Sequence, residues 1–119
     1  MKIRTRNTKS EQILTEHHDL GLVDNAKRKI GYKITVRIEF YEARPENFNG
    51  DKWLYSSTMP AGIWFSTHTQ PTRNEEDYGP SSITRRSTTA IEAYDVGKER
   101  MERATKYYKR KFSKFNQEN

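Results

Sequence analysis

The chain carries three histidines, 16 acidic and 22 basic side chains and no cysteine. Its chemistry must therefore come from imidazole, carboxylate, hydroxyl or cationic groups, and disulfides, thiolate metal sites and cysteine nucleophiles are excluded. His17, His18 and Asp19, with Glu16 beside them, hold donor atoms that divalent metals accept, and His68 could join them from further along the chain. Their spacing argues against a site, because adjacent histidines on a helix point about 100° apart, unlike an i, i+4 pair, and no ligand series of recognisable spacing follows. Glu75, Glu76 and Asp77 lie close to Arg73, a pattern more typical of a solvated charge cluster than of an acid–base pair. No serine stands in a G-x-S-x-G elbow, and Thr67-His68-Thr69 has no second copy of the sort a two-histidine phosphodiesterase needs. The six glycines are scattered rather than gathered into a phosphate loop. These residues predict no catalytic group, no metal, no cofactor and no enzymatic activity.

The cationic side chains are better organised. Residues 103–114 hold six cations and no anion, whereas residues 92–102 hold four acids and two bases. Acids near a helix start and bases near its end complement the macrodipole, but six uninterrupted cations exceed that need. Wound as a helix, Arg100, Arg103, Lys106, Tyr107, Arg110 and Lys114 fall on one side, with Lys109 and Lys111 flanking them. Ala90, Ile91, Tyr94, Gly97, Met101, Ala104, Tyr108, Phe112 and Phe115 fall on the other and form a packing stripe. Nucleic-acid binding would use such a cationic face to displace phosphate counterions, and an aromatic ring within it to stack bases at about 1–3 kcal/mol each. Further candidates are Arg37 and Tyr41 on the outer parity of a strand, Trp64 from a later strand, and the Arg85-Arg86 pair just before the helix. Lys2, Arg4, Arg6 and Lys9 resemble a flexible basic arm.

The elements that must position these groups belong to one domain, residues 1–119, with an arm at 1–9, a folded core at 10–115 and a tail at 116–119. Only twenty residues are Ile, Leu, Val or Phe, a thin core that would gain from dimerising or from docking on a partner. Fourteen aromatics and a net charge of only +6 nevertheless argue for folding. The first residues lack the apolar run of a signal peptide and no stretch could span a bilayer, so the expectation is a soluble, cytoplasmic protein without membrane contact. Thr8 and Glu11 are spaced as a capping box, which with Ile13, Leu14 and His17 predicts a short helix ending by Gly21. Alternation predicts strands at 29–42, 52–59 and 63–70, the last two joined by a tight turn through Pro60. A long connection over 71–86, expected to be functional or mobile, leads to a second capping box, Thr89 with Glu92, at the start of the long helix. The predicted fold is α+β: a three-stranded antiparallel meander covered by a long C-terminal amphipathic helix.

This order of elements is similar to that of the double-stranded-RNA-binding domain, and its strand–strand–strand–helix part resembles the arm-binding domains of tyrosine integrases. The chain has neither the G-P-x-H turn nor the K-K-x-A-K helix start of the former, Arg85-Arg86-Ser87 standing in that place, and the resemblance transfers no function. The expected function is a small non-enzymatic nucleic-acid-binding accessory protein contacting the phosphate backbone of DNA or RNA. The alternatives are a protein-interaction module, such as a regulator or inhibitor encoded by a virus or other mobile element that docks on an acidic protein surface, and a homodimeric structural component.

Overall fold

A computed structural model describes residues 8–44, 46, 48, 54–56, 59–83 and 86–117. The main sheet is antiparallel, with β1 (Thr8–Val23) on one side of the central β2 (Lys29–Tyr41) and β5 (Gly62–Arg73) on the other. Between β2 and β5, β3 (Leu54–Ser56) and β4 (Met59–Pro60) pair only with each other. The outer edge of β5 is lined by β6 (Glu76–Asp77) and β7 (Ser82–Ile83) and by a bridge from Ser87 to Phe65. One helix, α1 (Ala90–Lys111), lies on the sheet and ends in a 3-10 turn, Ser113–Phe115. The architecture is thus α+β, an antiparallel sheet under a single long C-terminal helix. No helix among the described residues is long and apolar enough to cross a membrane.

Two elements differ from the sequence expectation. The predicted short helix at 8–21 is instead the long strand β1, paired with β2 from Thr8↔Tyr41 to Val23↔Lys29. Its register slips between Gln12 and Leu14 and again between Asp19 and Leu22, so the period-2 signature is broken twice. The second slip contains Gly21 at φ +74, whose N–H donates to the Asp19 carboxylate at 2.8 Å. With β1 as a strand, the element order also loses its likeness to the double-stranded-RNA-binding domain. Within the strand predicted at 52–59, β3 pairs with β4 in a separate two-stranded sheet and takes no place in the main one, because β5 pairs with β2 directly, from Ile30↔Arg73 to Tyr41↔Gly62.

The predicted alternation of β2 survives, and the register extends it across the sheet. Ile30, Tyr32, Ile34 and Val36 are buried beneath α1 together with Thr67 and Thr69 of β5. The approach is close at Gly97, where an added Cβ would lie 2.7 Å from Ile34 Cγ2 and 2.9 Å from Thr67 Cγ2. There the Thr67 hydroxyl donates to the Ala93 carbonyl of the helix. The helix starts as its capping box predicts: Thr89 Oγ1 accepts from Glu92 N–H at 3.1 Å, and the Glu92 carboxylate accepts from the Thr88 and Thr89 hydroxyls.

At its other end, α1 is tied to the start of β2. Phe112 packs with Leu22 and Ile30, and Leu20, Tyr108 and Phe115 surround them. The Asn116 side chain accepts from Val23 N–H at 2.7 Å and donates to Val23 O at 2.8 Å, clasping the strand to the end of the helix. The turn that follows is organised by Asp24, which is 1% exposed. Its carboxylate accepts from the backbone N–H groups of Ala26 and Arg28 and from the guanidinium Nε atoms of Arg28 and Arg73. Burial pushes the Asp24 pKa up, but these four donors outweigh it and hold the group below the usual carboxylate value. The expected loose connection at 71–86 is instead largely hairpin and edge strand. It turns at Asn74 and Glu75, both at positive φ, and Asn74 docks on Lys29 through backbone and side-chain hydrogen bonds.

Candidate nucleic-acid interface

The outward side of α1 is divided by charge. Up to residue 102 it presents the exposed acids Glu92, Asp95, Glu99 and Glu102, and from Arg103 onward it presents exposed cations. Arg103, at the boundary, pairs with Glu99 at 3.2 Å, with both side chains about 70% exposed, so the pair is weak and screened by salt. Lys106, Lys109, Arg110, Lys111 and Lys114 are all exposed, and none forms an ion pair among the described residues. Tyr107 is 48% exposed in their midst, with Lys111 Nζ 5.5 Å from its ring centroid and Tyr108 set edge-on behind it at 5.4 Å.

Arg100 is not free in the same way. It is half-buried and donates to Ser82 Oγ at 3.1 Å, bracketing β7 to the helix. Ile91, expected on the packing stripe, is 74% exposed although Ala93 in the same turn is fully buried, because at about 100° per residue Ile91 lies about 120° around the helix from Gly97.

The remaining expected residues lie on the far side of the molecule. Arg37, Glu39 and Tyr41 alternate with the buried residues of β2, and Trp64 registers opposite Glu39. All of them therefore face away from α1. In a two-layer sandwich, the outward face of the helix and the outward face of the sheet point in opposite directions, so the two groups form no common surface. Several are also engaged locally. Arg37 Nε donates to Ser10 Oγ at 2.8 Å. Tyr41 is 4% exposed and donates to Glu39 at 2.7 Å, while Arg86 donates from Nε to both residues and lays its guanidinium 4.9 Å from the Tyr41 ring centroid. That ring offers no open face to a base, and burial, then the Glu39 carboxylate, pushes its pKa up. Trp64 is half-buried. Arg85 and the arm residues Lys2, Arg4 and Arg6 lie outside the described residues, as does the Lys9 side chain.

The histidines do not converge. His17 and His18 point to opposite faces of β1, His18 Nε2 lies 2.8 Å from Glu16 Oε1, and Tyr94 donates to the same carboxylate from the helix. The hydrogen bonds from His18 and then Tyr94 hold Glu16 below its usual pKa. His68 sits on β5 across the sheet, where burial and then Arg37 lower its pKa. Among the described residues, no three His, Asp or Glu side chains are grouped to hold a metal.

Sequence reasoning missed the turn at 24–28. Lys27, at φ +63, is exposed there, just after the Val23 backbone that Asn116 clasps. Asp24-Asn25 is a turn signal in the sequence, but it does not reveal that the turn ends up beside the cationic end of a helix some ninety residues away. No protein-family model matches the chain, and no curated protein or solved structure matches it either.

Proposed function

We propose that the protein is a small, non-enzymatic nucleic-acid-binding accessory protein that uses the C-terminal half of α1. The observation that carries this reading is the row of exposed cations Lys106, Lys109, Arg110, Lys111 and Lys114, without ion pairs among the described residues and with Tyr107 among them. Cations carried only for solubility are commonly interspersed with acids, and the helix dipole accounts only for those of the last turn, Lys109, Arg110 and Lys111, leaving Lys106 and Lys114. Fluorescence anisotropy with a generic labelled oligonucleotide tests the reading. Affinity should fall steeply with salt, and Arg110→Ala with Lys114→Ala should flatten the slope by about 0.7–0.9 for each phosphate that is no longer neutralised. Absence of binding at about 50 mM salt would remove the proposal.

One observation favours a second reading, a homodimeric structural component. The end of the sheet beyond α1 exposes Phe40 (46%) and Ile63 (54%) at a cleft of about 380 Å³ lined by Ser10, Glu11, Ile38, Phe40 and Ile63. Light scattering over a concentration series, with Phe40→Ser as the comparison, tests whether this surface joins two copies. A strict monomer at all concentrations would rule out self-association through it.

A further inference from the structure

We infer that the ligand surface is composite, formed by the C-terminal half of α1 together with the turn at 24–28, and that it takes single-stranded nucleic acid. The inference rests on the nucleic-acid reading above and specifies the form of its ligand.

The division of charge on α1 limits how a polyanion can approach. Laid along the whole helix, as in a major groove, it would meet Glu92, Asp95, Glu99 and Glu102, all exposed. Only the part from Arg103 onward is compatible, about 17 Å at 1.5 Å per residue, so a longer ligand must leave the helix at its C-terminal end. The surface it then reaches opens on cations. Asn116 clasps Val23 at 2.7 and 2.8 Å, and Phe112 packs on Leu22 and Ile30, so Lys27 and Arg28 follow directly on the helix end, whereas Lys29, alternating with Ile30, faces the other side of the sheet beside Asp19 and Glu75. The acid within this turn, Asp24, is already neutralised by Arg28 at 2.9 Å and Arg73 at 3.1 Å. Glu76, exposed on the neighbouring hairpin and paired in register with Arg73, bounds the surface on the β5 side.

The aromatic rings at this end favour unpaired bases. Tyr78 is 43% exposed, with the guanidinium of Arg28 at 4.8 Å and that of Arg73 at 4.4 Å from its ring centroid, and Arg73 continues the stack to Tyr108 at 5.2 Å. Tyr107 stands exposed on the neighbouring helix turn with Lys111 beside it. Rings and guanidinium planes held in this way offer stacking surfaces that a base can use only when it is out of a duplex. In a duplex, only the phosphate interactions would remain.

The test is anisotropy at about 0.1 M salt with labelled oligothymidylate of about 12 nucleotides and a duplex of the same length. It compares the wild type with Lys27→Asn, with Lys106→Gln/Lys114→Gln and with Tyr107→Leu, each checked for an unchanged circular-dichroism melt. The single strand should bind roughly ten-fold more tightly than the duplex, one stacked base being worth that much. Removing a single cation from the phosphate path should cost about five-fold at this salt concentration, so the turn variant should weaken binding about five-fold and the helix variant, which loses two, about 25-fold. Tyr107→Leu should weaken the single strand and leave the duplex unchanged. Equal or tighter duplex binding, or a turn variant that binds like the wild type, would overturn the inference while leaving the nucleic-acid reading in place. No binding of either probe would overturn both.

Discussion

Replacing Gly97 by alanine probes a close approach of α1 to the sheet. In an exposed helix interior this change is favourable by about 1 kcal/mol, because alanine constrains the unfolded chain and glycine does not. At position 97 the added methyl would stand 2.7 Å from Ile34 Cγ2 and 2.9 Å from Thr67 Cγ2. Both neighbours are β-branched, fully buried and fixed in a central pairing, Ile34↔Thr69 and Val36↔Thr67, so neither can swing aside. Restoring a normal separation requires the helix to rise by roughly 0.7 Å, an overpacking strain of about 1–3 kcal/mol. The same rise stretches the hydrogen bond from the Thr67 hydroxyl to Ala93 O, with a loss of about 1 kcal/mol. Set against the propensity gain, the net destabilisation should be about 1–3 kcal/mol, read as a lower urea midpoint at unchanged slope. Thr67→Ser removes the offending methyl and keeps the donor, so in the Gly97→Ala background it should recover part of the stability. A Gly97→Ala protein as stable as the wild type, or more stable, would refute this account of how the helix sits on the sheet.

Other outcomes follow from the same packing and hydrogen bonding. Asp24→Asn leaves Arg73, 8% exposed, without its charge partner and should cost about 3–5 kcal/mol in urea unfolding. Because the folded pKa of Asp24 lies below the unfolded value of about 3.9, its stabilisation is complete above that pH and is lost as pH falls through the folded value. Stability measured between about pH 5 and pH 2 should therefore drop less in Asp24→Asn than in the wild type. Thr89→Ala removes the acceptor for Glu92 N–H and should cost about 1 kcal/mol, visible as faster amide exchange in the first turn of α1. Asn116→Ala strips Val23 of both side-chain partners and should cost about 1–3 kcal/mol, with exchange increasing at the end of the helix and the start of the 24–28 turn.

The readability of each element in the sequence tracked how regular its local signal was. α1 carried a capping box, a 3.6-residue stripe and a terminal cation cluster, and its observed start at Thr89 follows from them. β2 alternated cleanly because one face is buried under the helix while the other is at least partly solvated. β1 did not, since it is a polar edge strand with two register slips, and Ile13-Leu14 across the first slip imitates a helical pair. β6 and β7 are only two residues each and are held by pairing to β5 rather than by any pattern of their own. For the candidate site, the outward face of the helix was legible from the wheel, but the wheel could not report that Arg100 would be held by Ser82. The outward parity of Arg37, Tyr41 and Trp64 was also legible, and the two-layer arrangement itself places that parity opposite the helix. The contribution of Lys27 depends on a tertiary clasp, Asn116 on Val23, that no local pattern encodes.

The most direct test of the nucleic-acid reading is residue-resolved. Uniformly ¹⁵N-labelled protein titrated with short oligothymidylate should show amide shifts concentrated at residues 103–116 and 24–29, fading as salt is raised. Shifts confined to Ile38, Phe40 and Ile63 at the far end of the sheet, or none at low salt, would contradict it.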